Sequence, residues 1–256
     1  MRFWKGHGTG NDFVLLWDPD GVIDLSDALV VALCDRRAGI GSDGVLRVVR
    51  SDRVSAETVA PGADWFMDHR NADGTRPEMC GNGLRLFAHL LLAQGQVQPG
   101  TVPIGTRGGV KRVQVTDGDV TVDMGPAVIG EPVLVDDAVA TFVDMGNPHA
   151  VLPVTSVDAL GELHPDRLDL NVEYVERAGP AHLRMRVHER GVGETLSCGT
   201  GACAAVVADS LAGGAPRGTP VRLDVPGGTL TLTWREDGHV LLQGPAVIVA
   251  EGTWLL

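Results

Sequence analysis

The sequence predicts an α+β chain made of two similar domains related by a pseudo-twofold axis, and three observations carry that prediction. A cysteine in a glycine turn directly before an apolar, helix-forming run occurs twice. It stands first in Glu78-Met79-Cys80-Gly81-Asn82-Gly83-Leu84-Arg85-Leu86-Phe87 and again in Ser197-Cys198-Gly199-Thr200-Gly201-Ala202-Cys203-Ala204. From Thr101 to Val143, apolar and polar residues alternate between glycine turns, as in Val113-Gln114-Val115-Thr116 and Val120-Thr121-Val122-Asp123, which is the period of antiparallel sheet. After Met145 the order of features starts again. Gly10-Asn11 is answered by Gly146-Asn147, Cys80 by Cys198, and Met124-Gly125-Pro126-Ala127-Val128-Ile129 by Gln243-Gly244-Pro245-Ala246-Val247-Ile248. Each copy supplies one cysteine at a helix start, and the pocket is expected between them.

The elements follow in order. Gly6-His7-Gly8-Thr9-Gly10-Asn11-Asp12-Phe13-Val14-Leu15-Leu16-Trp17 sets a glycine turn beside an apolar run of strand length. A dinucleotide fingerprint would need a strand before those glycines and a helix after them, so that reading is set aside. Asn11 either holds the turn or aims its amide at a polar ligand. Ser26 to Arg36 reads as a helix, with Ser26 as N-cap, Leu29, Val30 and Leu33 apolar at helical spacing, and Cys34 in the core. Gly39 to Val49 is a glycine turn feeding a strand, and Ala63 to Arg70 is another strand. The polar turn Asn71-Ala72-Asp73-Gly74-Thr75 then leads into the Cys80 loop. In the second half, Asn171-Val172-Glu173-Tyr174-Val175 precedes Arg184 to Thr195, where Glu189-Arg190 lies just ahead of Cys198. Such a pair is usually solvated. Here an arginine fork suits a carboxylate and a glutamate suits an ammonium.

Composition bounds the function. With 256 residues, 44% hydrophobic and 21% charged, the chain is globular with ample core. A net charge of -12 argues against a nucleic-acid or anionic-membrane surface. No apolar run approaches the roughly 18 residues of a membrane span, and the start Met1-Arg2-Phe3-Trp4-Lys5-Gly6-His7 has no signal-peptide core, so a cytoplasmic location is expected. Four cysteines fit free thiols in a reducing compartment. No C-x2-C or H-x3-H spacing offers a zinc site, so no metal is expected. Lys5 and Lys111 are the only lysines, and neither sits in a motif suited to a Schiff base, which favours chemistry without a cofactor.

A lone cysteine before a helix is most often plain core. Repetition changes that, because packing does not call for the same Cys-Gly-X-Gly in both halves, whereas a reaction needing one group on each side of a substrate does. A sulfur at a helix start also sits in the field of unpaired N–H groups, which favours thiolate.

The motifs Gly-X-Gly-Asn-Asp-Phe, Asn-Ala-Asp-Gly, Met-Cys-Gly-Asn-Gly, Met-Gly-Asn-Pro-His, Glu-Arg-Gly-X-Gly-Glu-Thr and Cys-Gly-Thr-Gly-Ala-Cys-Ala stand in one order from Phe3 to Gly244-Pro245. In these the sequence closely resembles the diaminopimelate epimerase family, cofactor-independent enzymes of lysine and peptidoglycan-precursor synthesis. The resemblance implies two α+β domains, each an antiparallel barrel-like sheet around a central helix. The first domain is expected over 1–113 plus 246–256, the second over 114–245. By motif, Cys80 and Cys198 resemble the catalytic pair that interconverts LL- and meso-diaminopimelate. Asn11, Asn71, Asn147 and Asn171 resemble substrate-binding amides. Glu189 and Arg190 resemble ligands of the distal amino-acid centre. Gly81-Asn82 and Gly199-Thr200 resemble N–H donors to the reacting carboxylate, and His149 a residue that supports catalysis. Some members carry Gln where Gly44 stands. A homodimer is a possible assembly.

Two relatives and one unrelated class are weighed against this. Proline racemase and hydroxyproline epimerase share the two-cysteine design but resemble Cys-Gly-His-Gly, where this chain has Cys80-Gly81-Asn82-Gly83. A thiol redox protein would pair Cys80 with Cys198 as a disulfide, and the absence of C-x-x-C argues against it.

Overall fold

The computed structural model describes residues 1–55, 61–116 and 118–255. It divides into two compact units, Met1–Val122 with Pro245–Leu256, and Asp123–Gly244. The expected boundary at 113/114 would cut β6 (Gly109–Val115), which pairs along its length with β5 and turns back into β7. The hairpin therefore stays with the first unit, and the division falls after Val122.

The first unit runs β1 (Arg2–Gly8), β2 (Asn11–Trp17), α1 (Asp27–Cys34), β3 (Gly44–Arg50), β4 (Trp65–Asn71), α2 (Gly81–Ala93), β5 (Gly100–Thr106), β6 and β7 (Val120–Pro126), whose last residues pass the boundary. The second runs β8 (Val128–Ile129), β9 (Val133–Val135), β10 (Ala138–Asp144), β11 (Pro148–Val154), β12 (Asn171–Gly179), β13 (His182–Glu189), β14 (Gly193–Thr195), α3 (Gly199–Leu211), β15 (Val221–Val225), β16 (Gly228–Trp234) and β17 (His239–Gly244). Then β18 (Val247–Thr253) returns to the first unit and pairs antiparallel with β1.

The two units share one pairing pattern. From β1 to β6, neighbours pair antiparallel, parallel, antiparallel, parallel and antiparallel, and β6–β7 closes the series antiparallel. The path β10, β11, β12, β13, β15, β16, β17 repeats that series. The repeated Gly-Pro has a matching use in each copy. After Gly125-Pro126 the chain enters β8, which pairs with β10, the first long strand of unit 2. After Gly244-Pro245 it enters β18, which pairs with β1. The sheets are thus mixed where antiparallel sheet was expected throughout. Parallel neighbours need a crossover, and α1, α2 and α3 each lie within one.

Each long helix lies among the strands of its own unit. α2 packs on β1, β2, β3, β4, β6 and β18, and α3 on β10, β11, β12, β13, β16 and β17. A helix surrounded in this way is mostly apolar or small, with the buried Asn82 and Arg85 of α2 as exceptions. Gly81 through Ala88 are all buried, as are Ala202 through Ala208, where small side chains let the strands approach. α1 is a surface helix capped by Ser26, whose side chain accepts the Leu29 N–H at 3.3 Å. Beneath it, Val14, Leu16, Leu25, Val30, Leu33, Cys34 and Val45 form one core cluster. Among the described residues no helix is long and apolar enough to cross a membrane.

Gly44 opens β3 opposite Asn71 of β4, and there a Cβ would stand 2.5 Å from the Arg70 carbonyl oxygen. That contact is with backbone and cannot swing away. Gly44→Gln is therefore expected to lower stability by ~1–3 kcal/mol through overpacking. The midpoint of urea unfolding checks this, and an unchanged midpoint would show that the β3–β4 ladder yields freely.

Candidate active site

Both sulfurs sit where a helix usually places an oxygen. Cys80 is the N-cap of α2 and Cys198 the N-cap of α3, each with extended backbone. Gly83 N–H donates to Cys80 Sγ at 3.4 Å, and Gly201 N–H donates to Cys198 Sγ at 3.4 Å. The cysteine carbonyls accept the N–H groups of Leu84 and Ala202, which start the two helices. The Gly-X-Gly after each cysteine thus forms the first helical turn. Gly81 and Asn82, like Gly199 and Thr200, are its first two residues and belong to the set of N–H groups that a helix leaves without internal acceptors.

In the first unit, Cys80 donates its thiol proton to Asn11 Oδ1 at 3.7 Å, and Asn82 Nδ2 donates to the same oxygen at 3.3 Å. The Asn11 amide nitrogen is held by Asp43 Oδ2 at 2.8 Å. Asn11 therefore fixes the approach to the sulfur from β2. Asp43 and the neighbouring Asp12 share Arg36, while Lys5 donates to Asp12 at 2.5 Å and to the Gly41 carbonyl. Burial alone would raise the Asp12 carboxyl, but the hydrogen bonds from Arg36 and Lys5 outweigh it and hold it at about 2. Lys5 is in this way occupied as a counter-ion. Asn71 closes its own turn, donating through Nδ2 to Thr75 Oγ1 at 2.9 Å.

The second unit is more buried. His149 on β11 has no exposed surface, and its Nδ1 meets Glu173 Oε1 at 2.7 Å while Nε2 meets Asn147 Oδ1 at 3.0 Å. Asn171 lies opposite His149 in the parallel β11–β12 ladder. Its amide donates to the Pro148 carbonyl at 2.8 Å and accepts the Arg190 N–H at 3.1 Å, which ties the Arg190 turn to the start of β11. The Arg190 side chain is exposed.

Glu189 closes β13. Its carboxylate accepts from the Thr195 hydroxyl at 2.5 Å and from the Cys198 thiol, and burial raises its carboxyl above the ordinary value. It faces the sulfur.

Compared with Cys80, Cys198 lies deeper. Burial pushes it well above its usual range, and the Glu189 and Glu173 carboxylates push it further. The Thr200 hydroxyl, 3.4 Å away, and the Gly201 N–H favour the anion but do not outweigh them. The other two cysteines differ. Cys34 accepts a bond from Ser42 Oγ at 3.3 Å under α1, and Cys203 is buried in the body of α3.

The sequence reading missed Glu173. The signal was present: Glu173 follows Asn171 by two on one strand, so both point to the same face. It also missed Arg85, the largest fully buried side chain, which donates to Thr9 Oγ1 at 3.2 Å and to the Pro245 carbonyl at 3.4 Å. These bonds pin the glycine turn before β2 to α2. Among the described residues no group of His, Cys, Asp and Glu is placed to hold a metal ion.

Comparison with known proteins gives a consistent answer. The family model described as Diaminopimelate epimerase matches residues 3–130 and 141–249. A diaminopimelate epimerase of Streptomyces coelicolor is 52% identical, with 98% of this chain and 94% of the relative covered. One from Thermobifida fusca is 47% identical, covering 98% and 97%. Among solved structures, a predicted epimerase from Pseudomonas aeruginosa superposes with a TM-score of 0.77 at 17% identity, covering 100% of this chain and 99% of that one. A hydroxyproline epimerase from Agrobacterium vitis gives 0.69 at 15%, covering 98% and 91%. At those identities the structures share the fold. The sequence relatives decide the family, and by them the chain belongs to the diaminopimelate epimerases.

Proposed function

We propose that this isomerase, an enzyme of lysine biosynthesis, interconverts LL- and meso-diaminopimelate by proton transfer between two sulfurs and the alpha carbon. The observation that carries the mechanism is the pair of helices, one in each unit, whose N-caps are cysteine sulfurs. A proton alpha to a carboxylate is hard to remove because the carbanion is unstable, so the site must stabilise charge that builds on the carboxylate. Helix-start N–H groups of Gly81, Asn82, Gly199 and Thr200 are suited to that task. Inversion then needs a base on one face of the carbon and an acid on the other. One cysteine acts as thiolate base on one face, and the other, as a thiol, returns a proton to the opposite face. The roles exchange on return.

Asn11 holds Cys80 and Asn82 in place; Asn11, Asn82, Asn147 and Asn171 are assigned to substrate through their motifs, and His149 to support of catalysis. Asn71 is assigned to substrate through its motif. Arg190, exposed and with its backbone tied to Asn171, is assigned to the distal carboxylate. The four free thiols and the absence of a membrane-length helix among the described residues support a cytoplasmic location.

The test is exchange of the alpha proton of LL- or meso-diaminopimelate with solvent deuterium, without added pyridoxal phosphate and in the presence of a chelator. Full exchange is expected. Loss of exchange on chelation, restored by metal or by pyridoxal phosphate, would overturn the two-sulfur mechanism.

A further inference from the structure

Glu173 is buried on β12 with no exposed surface, and its two oxygens are treated unequally. Oε1 meets His149 Nδ1 at 2.7 Å, while Oε2 has no hydrogen-bond partner among the described residues. A carboxylate buried in this way costs stability, and an apolar side chain of similar volume would suit the core better. Its surroundings are nonetheless specific. Oε1 meets His149 Nδ1, and Nε2 of the same ring meets Asn147 Oδ1 at 3.0 Å, so the imidazole is held between the two side chains. On its other side Glu173 lies over the first turn of α3. A Cβ on Gly201 would stand 2.4 Å from Glu173 Oε1, and Gly201 is the residue whose N–H reaches Cys198 Sγ.

We propose that Glu173 is a positioning residue for proton transfer at Cys198: through His149 it fixes Asn147, and from its place over the first turn of α3 it keeps a negative charge beside the sulfur. This rests on the two-sulfur mechanism above. The groups that face the sulfur are Glu189 from β13, Glu173 from β12 with its partner His149 on β11, and the Thr200 hydroxyl and Gly201 N–H of α3 itself. Burial is the largest cause of the raised thiol, and both carboxylates add to it. Deleting the Glu173 charge therefore makes the thiolate easier to form, and the pH at which Cys198 ionises moves down.

Glu173→Gln keeps the shape and a polar contact to Nδ1 while removing the charge. One measurement is the rate of iodoacetamide alkylation at Cys198 against pH, located by mass spectrometry in a Cys80→Ala background. The other is kcat and KM for meso-diaminopimelate with both sulfurs present. The expected result is an alkylation profile shifted to lower pH and a kcat reduced ~10- to 100-fold, as when the outer partner of a metal-bound histidine is removed, with KM little changed. A superimposable alkylation profile, or a loss confined to KM, would overturn the proposal. Gly201→Ala gives a second route, since its methyl displaces the Glu173 carboxylate. It should reproduce the kcat loss, and the loss should largely vanish when Gly201→Ala is added to Glu173→Ala. Full additivity of the two would also overturn the proposal. Cys198→Ala, assayed in parallel, separates the two levels. Turnover by that variant defeats the two-sulfur mechanism, whereas an inactive Cys198→Ala with an unmoved Glu173→Gln profile defeats this inference alone.

Discussion

Cys80→Ala and Cys198→Ala each abolish epimerisation, with kcat lowered ~10³-fold or more because one face of the alpha carbon loses its proton donor or acceptor. Cys34→Ala and Cys203→Ala keep most of the activity. The contrast follows from station: Cys80 and Cys198 are N-caps with extended backbone, whereas Cys34 closes α1 against Ser42 and Cys203 is buried in the body of α3. Serine variants separate chemistry from folding, because serine is itself a good N-cap and should leave the helix start intact. Cys198→Ser with an unchanged melting temperature and no turnover is the expected pair of results. Substantial turnover by Cys80→Ala or Cys198→Ala would end the two-base scheme.

On the assignment of Arg190 to the distal carboxylate, Arg190→Ala is expected to lower kcat/KM for meso-diaminopimelate by ~30- to 1000-fold, mainly through KM, a loss of ~2–4 kcal/mol. A contact of that kind is made in ground state and transition state alike, so kcat is expected to fall only to the extent that remote binding also organises the reacting end. Proline, alanine and glutamate are expected to be very poor substrates of the unmodified enzyme, measured as kcat/KM against meso-diaminopimelate. The engagement of Glu189 with Thr195 and Cys198 sharpens the assay. Glu189→Gln changes the pH dependence of kcat, whereas Arg190→Ala changes selectivity. If Arg190→Ala keeps the unmodified preference for diaminopimelate over glutamate, Arg190 does not read the distal end.

The parts legible in the sequence are those written in local pattern. The two Cys-Gly-X-Gly helix starts, the cap at Ser26 and the repeated Gly-Pro all depend on residues adjacent in the chain, so turn and cap chemistry identifies them. Alternation in β11 and β12 reveals strands but not the direction of their partners, and the parallel pairing of His149 with Asn171 was invisible for that reason. Glu173 was passed over because one acid in a strand ordinarily marks a solvated face. Its burial depends on α3, which comes later in the chain. The protonation of Cys198 fails as a local reading in the same way. A helix start favours thiolate, but burial, which is the largest cause, and the two carboxylates carried in by β12 and β13 push the thiol the other way.

The return of β18 to β1 has a consequence for synthesis. Residues 123–244 form an unbroken stretch whose strands find partners among themselves, so unit 2 can close as soon as that stretch has left the ribosome. Unit 1 is translated first yet is finished last, since the outer edge of β1 stays open until residues 247–253 arrive to cover it. Arg85 likewise waits for the Pro245 carbonyl. A nascent chain stalled before that point holds a closed second unit and a first unit whose β1 edge and Arg85 still wait for partners.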